Sequence, residues 1–492
     1  MKKIELKQTG SDSLESNYLT KNGTFRNHST GNQLKIFPFK TNPSGDVFIE
    51  DFKSFQGIVG ELFRISNNKE QLDFTSKEES YKTFLKTTII KNAISKVETK
   101  NKEEFRSMLS NLFFNDDNTL IKFNVKTINY MNLISSNNAI KDFSKFIKEV
   151  FLKDDNSITQ LDEKNENDNI LHQLIVDCLP ELSNVKSKSS LIPYSNLFPG
   201  ISELFKVDFY FLSKDVSFLL QHIEDLFKYY SFFYFTQVSL KLNSFGLGNT
   251  EVEPIFFSLD WETLSESRLS AQVPGWKQLN RNYDSIFAHA NTLELLNYII
   301  VDNQKIGDYL QIQNLIKSLS PDEKTTFKNK IAELNSFYTS IINVFDPGYN
   351  WNHCEDLLRT KLISKKFDDE FVVEIYSLWY RINYQFINSP RKTPYQNYSK
   401  WLTSFTKVNY IKNRGRLGAT TVLSQEMLLF LTRLCIGNES KIRIKTLWDN
   451  LKLRGIVFDE ISKLEITKLF EKINLIEKKS DSGDAQYIKS TI

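Results

Sequence analysis

Apolar residues recur three and four positions apart through most of the chain after Gly45, and polar stretches rich in Asn, Asp and Lys separate these runs. Because a helical turn contains 3.6 residues, this spacing predicts amphipathic helices rather than strands. The predicted helices cover residues 82–97, 142–152, 169–179, 215–242, 291–300 and 321–344. The last has a well-marked start, since Ser320 can cap it, Pro321 suits its first turn and Glu323 completes a capping box.

Three segments depart from the helical pattern. Residues 1–33 are polar and show no sustained periodicity, which predicts a flexible N-terminal arm. Residues 34–39 indicate an extended segment, because Pro38 disfavours helix for the residue before it. Residues 254–260 are predicted to be loop and strand.

The last seventy residues are predicted to form short elements in a recognisable order. Ser424 can cap a first helix, and residues 441–444 alternate like a short strand before a second helix that ends at Gly455. Ser462 and Glu465 predict a capping box at the start of a third helix. Two alternating stretches around a turn at residues 481–484 then predict a hairpin. Helix, strand, helix, helix and hairpin is the order of a winged helix.

The predicted fold is therefore mainly α: a multidomain helical protein with a C-terminal winged-helix-like domain. Pro390 and Pro394 interrupt the helical pattern and predict a loop or hinge before that domain. The predicted division is a flexible arm over 1–33, an N-terminal helical domain over 34–188, a central helical domain over 189–388, a basic linker over 389–422 and the winged-helix-like domain over 423–492.

Composition agrees with a globular, cytoplasmic protein. Hydrophobic residues make up 40% of the 492 positions and aromatic residues 13%, which is ample for packed cores. The three cysteines are odd in number and far apart, so a disulfide framework is not expected and a reducing compartment is. The most apolar stretch, residues 232–235, lies between Lys228 and Lys241 and is too short to span a bilayer.

Charge changes this picture most between Tyr376 and Gln425, a segment of fifty residues called here the basic band. It contains eight Lys and Arg and no Asp or Glu, whereas the whole protein has a formal charge of +3. The other 442 residues therefore carry +3 minus +8, or −5. Such a band predicts an anionic partner, and nucleic acid is the first candidate.

Cations from the band and the C-terminal unit are the candidate contacts to phosphates or to a partner protein. Trp401, Tyr410 and Tyr398 are expected to stack on bases. The predicted contact residues are Arg391, Lys392, Lys400, Trp401, Lys407, Tyr410, Lys412, Arg414, Arg416, Lys463, Lys468, Lys478 and Lys479, whereas Arg381 is expected on a packed helix. Acidic residues balance the lysines of the third C-terminal helix, which favours backbone contact or partner docking over base-specific reading.

No sequence motif for catalysis is convincing, and we expect no catalytic, cofactor or metal site. The chain lacks a P-loop, and its five histidines include no pair at metal-ligand spacing. Asp260 and Glu262 are the carboxylates to weigh for a metal-dependent nuclease, but Leu264 stands where many nucleases have lysine. A structural role for the two acids, pairing Arg268 or Arg281, is the favoured interpretation.

Several short stretches in the central and C-terminal portions carry a family resemblance. They are Phe257-Ser-Leu-Asp-Trp-Glu262, Ser267-Arg268, Gly275-Trp276, residues 289–297, Arg414-Gly-Arg-Leu-Gly418 and residues 478–487. In them the chain resembles the DptG family of DNA phosphorothioation-dependent restriction proteins. The N-terminal third is similar only around residues 34–39 and 57–60. The resemblance implies a restriction-complex component that acts with the ATPase partners DptF and DptH on DNA lacking phosphorothioate marks, and it transfers no catalytic residue.

The sequence thus predicts a non-catalytic subunit of a bacterial anti-phage restriction complex that binds DNA backbone, bridges ATPase partners, or does both. Two alternatives stay open. One is a scaffold whose basic band and winged helix dock partner proteins only, and the other is a metal-dependent nuclease centred on Asp260 and Glu262.

Overall fold

The computed structural model describes residues 1–28, 30–41, 47–70, 80–131, 138–163, 169–185, 192–248, 251–270, 275–345, 350–478 and 486–490. Within these ranges the chain is mainly helical, as predicted. No helix in them combines the length and the apolar character needed to cross a bilayer.

Helices account for most of the elements, and short strands appear at both ends and in the middle of the chain. The helices are α1 Leu14–Tyr18, α2 Val47–Ser54, α3 Gln56–Ser66, α4 Tyr81–Lys96, α5 Lys102–Phe113, α6 Val125–Ile128, α7 Asn138–Phe151, α8 Ser157–Glu163, α9 Ile170–Val176, α10 Pro199–Leu212, α11 Val216–Leu242, α12 Glu266–Ser270, α13 Trp276–Asp284, α14 Ile286–Leu296, α15 Tyr309–Ser318, α16 Pro321–Phe345, α17 Trp351–Lys365, α18 Glu370–Ile387, α19 Lys392–Tyr410, α20 Gln425–Ile436, α21 Ile444–Leu453 and α22 Glu460–Lys472. The strands are β1 Ile4–Leu6, β2 Ile255–Phe256, β3 Ser258–Leu259, β4 Ile299–Val301, β5 Gln304–Lys305, β6 Ile411–Asn413, β7 Ala419–Leu423, β8 Lys441–Arg443, β9 Ile456–Val457, β10 Ile476–Lys478 and β11 Gln486–Lys489.

The strongest helical patterns match the structure closely. Helix α11 begins after Asp215, whose carboxylate accepts the backbone N–H of Phe218 at 3.0 Å. The capping box of α16 is confirmed, because Ser320 donates its N–H to Glu323 at 2.8 Å and Glu323 donates back to the Ser320 hydroxyl at 3.4 Å. The predicted helix over 291–300 is only partly correct. Helix α14 ends at Leu296, and β4 follows because it pairs with β1.

The first 28 residues are packed, so the expectation of a flexible arm is wrong. Strand β1 pairs antiparallel with β4, and the side chains of Leu14 and Tyr18 are fully buried in the main core. The following segment is also held, because the Glu294 carboxylate accepts the four backbone N–H groups of residues 31–34 at 2.9–3.1 Å. A few buried apolar side chains and main-chain hydrogen bonds hold this segment in place, although its sequence has no helical or strand periodicity.

One hydrophobic cluster extends from Leu14 to Ile488 and includes residues of all five predicted segments. A smaller cluster joins α4, α5 and α9. The boundaries predicted at residues 188 and 388 therefore fall within a continuous core. The predicted basic linker is a helix and a strand pair, because α19 buries Trp401 and Phe405 in the core. Pro394 interrupts nothing, since it lies in the first turn of α19, where its missing N–H has no helical acceptor.

The C-terminal elements follow the predicted order, with one addition. Strands β10, β11 and β8 form an antiparallel sheet in that order, and the extra strand β9 pairs parallel with β2 of the central region. The predicted cap of α22 is wrong, because the capping residue is Asp459, whose carboxylate accepts the backbone N–H of Ser462 at 2.8 Å. Ser462 is fully buried instead. The predicted turn at 481–484 lies outside the described residues.

Candidate nucleic-acid interface

A partly buried ionic cluster attaches the C-terminal unit to the central region. Arg268 donates to both carboxylate oxygens of Asp459, at 2.7 and 2.8 Å, and to Glu262 at 3.1 Å. The hydroxyl of Ser462 donates to Glu262 at 2.8 Å, and the Leu259 N–H donates to the same carboxylate at 2.8 Å. The predicted pairing of Glu262 with Arg268 is therefore confirmed.

This cluster bears on the nuclease alternative. Both oxygens of Glu262 already accept hydrogen bonds from Arg268, Ser462 and Leu259, so a metal ion would have to replace these partners. Arg281, the other proposed partner, pairs with neither acid. In the described part of the chain, no group of three or more His, Cys, Asp or Glu side chains is arranged to hold a metal ion.

A second buried ion pair fixes the other side of the C-terminal unit. Arg454 contacts Asp208 of α10 at 2.5 and 2.8 Å, and Tyr230 of α11 donates its hydroxyl to the same carboxylate at 2.6 Å. Next to this pair, Gly455 lies directly against the ring of Phe233. The C-terminal unit is thus joined to the helices of the central region by charge, hydrogen bonds and packing.

The aromatic residues of the basic band belong to the core. Tyr398, Trp401 and Tyr410 are only 2%, 1% and 2% exposed. Trp401 packs against Phe52 of α2, with ring centroids 6.1 Å apart, and Tyr410 packs against Phe232 of α11 at 4.3 Å. The prediction that these rings stack on bases is wrong, because the apolar stripe of α19 faces inward.

Several cations of the band are also occupied. Arg414 donates to the carbonyl oxygens of Glu262 at 2.7 Å and Leu259 at 2.5 Å, and burial lowers the pKa of its guanidinium. Lys412 donates to the carbonyl oxygen of Asp260. Arg414 therefore clamps the chain next to β3 and is not available to a phosphate.

Two further arginines of the band have partners on other elements. Arg391 lies 2.6 Å from the imidazole of His28 and 4.4 Å from the ring centroid of Phe25. Burial, and then the charge of Arg391, hold the pKa of His28 well below its usual value. Arg381 pairs with Glu355 at 2.7 Å, as expected for a packed helix.

The lysines of α19 remain exposed. Lys392, Lys400 and Lys407 are seven and eight positions apart, so they lie on one face of the helix. Within the described part of the chain, the Lys400 ammonium donates a hydrogen bond only to the Asn397 side chain, at 3.2 Å. This lysine face is one part of the predicted contact set that is open to solvent.

Arg416 lies in a different cationic site, which sequence reasoning missed. It is exposed in a single 3-10 turn between β6 and β7, and it lines a groove of about 620 Å³ together with Lys277 and Arg281 of α13. None of these three cations has a carboxylate within ion-pair distance among the described residues. We call these three residues the cationic triad. The two α13 members are far from the basic band in sequence, so no local charge count could have identified them.

Helix α22 presents a neutral and partly apolar face instead of a basic one. Lys463 pairs with Glu460 and Lys468 pairs with Glu465, both at 2.7 Å. Ile461 and Leu464 lie one turn apart and are 49% and 61% exposed.

The two remaining predicted contacts are near the hairpin. The side chain of Lys478 and all of Lys479 lie outside the described residues.

No protein-family model and no curated protein matches this chain. The features of the molecule that bear on its function are therefore the cationic triad, the α19 lysines and the α22 face.

Proposed function

We propose that the protein is a non-catalytic, cytoplasmic subunit that binds the nucleic-acid backbone and joins it to partner proteins. The observation that carries the proposal is the cationic triad, in which Lys277, Arg281 and Arg416 meet at one groove without carboxylate partners in the described chain. Three positive side chains that are not neutralised internally favour a polyanion. The exposed lysines of α19 add further positive side chains to the surface of the protein.

The resemblance to the DptG family makes the proposal more specific. It supports a subunit of a phosphorothioation-dependent restriction complex that acts with the ATPases DptF and DptH on DNA. Phosphate contacts explain affinity without sequence recognition, which is suited to a subunit that must engage DNA of any sequence.

Salt dependence of DNA binding tests the triad. We expect the combined variant Lys277→Gln, Arg281→Gln and Arg416→Gln to bind DNA more weakly, because each lost phosphate contact lowers the slope of log K against log salt by about 0.7 to 0.9. Fluorescence anisotropy of labelled DNA at several salt concentrations measures both quantities. Arg414 is left unchanged, since its removal would break the clamp to the segment before α12.

The matched control replaces three exposed lysines that do not line the groove, Lys317→Gln, Lys361→Gln and Lys365→Gln. This variant should keep its affinity and salt slope. An equal loss in the control, or no loss in the triad variant, would contradict the proposal. The same DNA incubated with Mg²⁺ tests the nuclease alternative, which requires cleavage that is lost on Asp260→Ala.

The C-terminal unit supports the bridging part of the proposal. We assign it a winged-helix-like organisation, supported by the element order and by the sheet order β10, β11, β8. In this assignment α22 is the helix that reads DNA in many winged helices. Its paired lysines and exposed Ile461 and Leu464 favour contact with a protein instead.

Co-purification with co-expressed ATPase partners tests this surface. Ile461→Asp with Leu464→Asp should abolish the association and leave DNA affinity unchanged, because the groove is not altered. Ile363→Asp is the control, since Ile363 is 71% exposed on α17, outside the C-terminal unit. If the α22 variant still co-purifies with the ATPase partners, the proposal that this surface binds them is refuted. The scaffold-only alternative instead predicts that the purified subunit has no DNA affinity at all.

A further inference from the structure

We infer that the groove of the cationic triad holds a single nucleic-acid strand, with its phosphates on Lys277, Arg281 and Arg416 and a base against the indole of Trp276. The inference rests on the proposed function, because it takes nucleic acid as the ligand of this groove. It specifies the ligand as an unpaired strand, of which one or two nucleotides occupy the groove.

The dimensions of the groove favour an unpaired strand. Its volume of about 620 Å³ lies in the range of clefts that enclose small ligands, about 300 to 1,000 Å³, which is the size class of a mononucleotide or dinucleotide. A duplex is too wide to enter such a cleft, so it would meet only the rim. The bases of an unpaired strand, in contrast, are free to leave the backbone and enter.

The arrangement of charge also fits a strand. Lys277 and Arg281 are four positions apart on α13, so their backbones are separated by about 6 Å along the helix, comparable to neighbouring phosphates of an extended strand. Arg416 approaches the same groove from the turn after β6. Glu266 also lines the groove, which leaves its described lining with three positive charges and one negative charge.

Trp276 supplies the aromatic surface that the basic band lacks. Its indole is partly buried, lines the groove and packs edge to face against Tyr283, with centroids 6.1 Å apart. This contact holds the ring in place next to the cations. An indole beside phosphate-binding side chains is the combination that single-strand binding proteins use, because every base has a face that can stack.

The experiment compares four labelled ligands of equal length by anisotropy: a thymidine strand, the same strand without bases, a mixed-sequence strand and its duplex. The wild-type protein should bind the thymidine strand about ten-fold more tightly than the base-free strand, which is the effect expected of one stacked base. It should also prefer the mixed-sequence strand over the duplex. Trp276→Ala should remove the difference between thymidine and base-free strands, whereas Trp276→Phe should retain most of it.

The outcomes separate this inference from the proposed function. Equal affinity for thymidine and base-free strands, or tighter binding of the duplex, overturns the inference but leaves backbone binding intact. If the wild-type protein binds none of the four ligands, the proposed function is overturned as well. The comparison of the two strands uses wild-type protein, so it decides the matter even where Trp276→Ala fails to fold.

Discussion

The buried pair between Arg454 and Asp208 gives the sharpest test of how the C-terminal unit is attached. The two side chains are only 7% and 2% exposed, and two hydrogen bonds of 2.5 and 2.8 Å join them. Tyr230 donates a third hydrogen bond to the carboxylate. The guanidinium is therefore a buried charge whose compensation depends on one carboxylate from another part of the chain.

Asp208→Asn removes that compensation and keeps the size of the side chain. Breaking a buried pair from one side costs about 3 to 5 kcal/mol, because the remaining charge is left without a partner in a poorly solvated site. We expect a loss of this size in the free energy of unfolding, measured by urea denaturation and circular dichroism. Tyr230→Phe removes only one hydrogen bond to the charged carboxylate and should cost less, about 1.5 to 3 kcal/mol.

The double variant Asp208→Leu with Arg454→Met is the control. Apolar side chains of similar volume avoid the cost of burying charge, so this variant should be much closer to the wild type than Asp208→Asn. If Asp208→Asn costs less than about 1 kcal/mol, or if the double variant is as unstable as the single one, the pair is not a buried ionic attachment.

Three other changes test separate parts of the fold. Glu294→Gln should destabilise the protein by about 2 to 4 kcal/mol in thermal melts, because its amide replaces an oxygen that accepts from backbone N–H groups; near-wild-type stability would contradict this. Gly455→Ala should cost more than Gly23→Ala, since both have positive φ but only the former places a Cβ 2.4 Å from the Phe233 ring; equal costs would refute the packing argument. Burial raises the pKa of Asp459, but hydrogen bonds from Arg268 and Ser462 outweigh burial and hold the pKa below 3.8. The contribution of Asp459 to the free energy of unfolding is therefore complete above pH 3.8 and is lost as the pH falls through the pKa of the folded state. The stability difference between wild type and Asp459→Asn should therefore shrink below pH 3.8, and a constant difference would count against it.

The helices could be predicted because their apolar positions repeat within each segment. Helix α11 is the clearest case, since its stripe and its cap at Asp215 are both local features. Strand β4 could not be predicted in the same way. Residues 299–301 leave the helical pattern because β1, almost three hundred positions earlier, supplies the hydrogen-bonding partner. Local patterns do not contain that information.

In the candidate site, too, the sequence alone does not show which cations are free to bind a ligand. The sequence predicted a row of free cations, but the structure divides them by what lies next to each one. Arg414 meets carbonyl oxygens of residues 259 and 262, whereas Arg416, two positions later, points to a groove lined by α13. A count of charges along the chain cannot separate these two environments. In the sequence, Gly275-Trp276 has no feature of its own beyond the family resemblance, although Trp276 lies beside the triad.

The segment from Leu259 to Glu262 connects the two proposed surfaces. Its carbonyl oxygens hold Arg414 just before the turn that carries Arg416, and the Glu262 carboxylate holds Ser462 within α22. The groove and helix α22 therefore rest on one short piece of main chain that is hydrogen-bonded on both sides. This arrangement gives the two surfaces a fixed separation, which suits the proposed role of joining DNA to a motor protein and which a flexible linker would not provide.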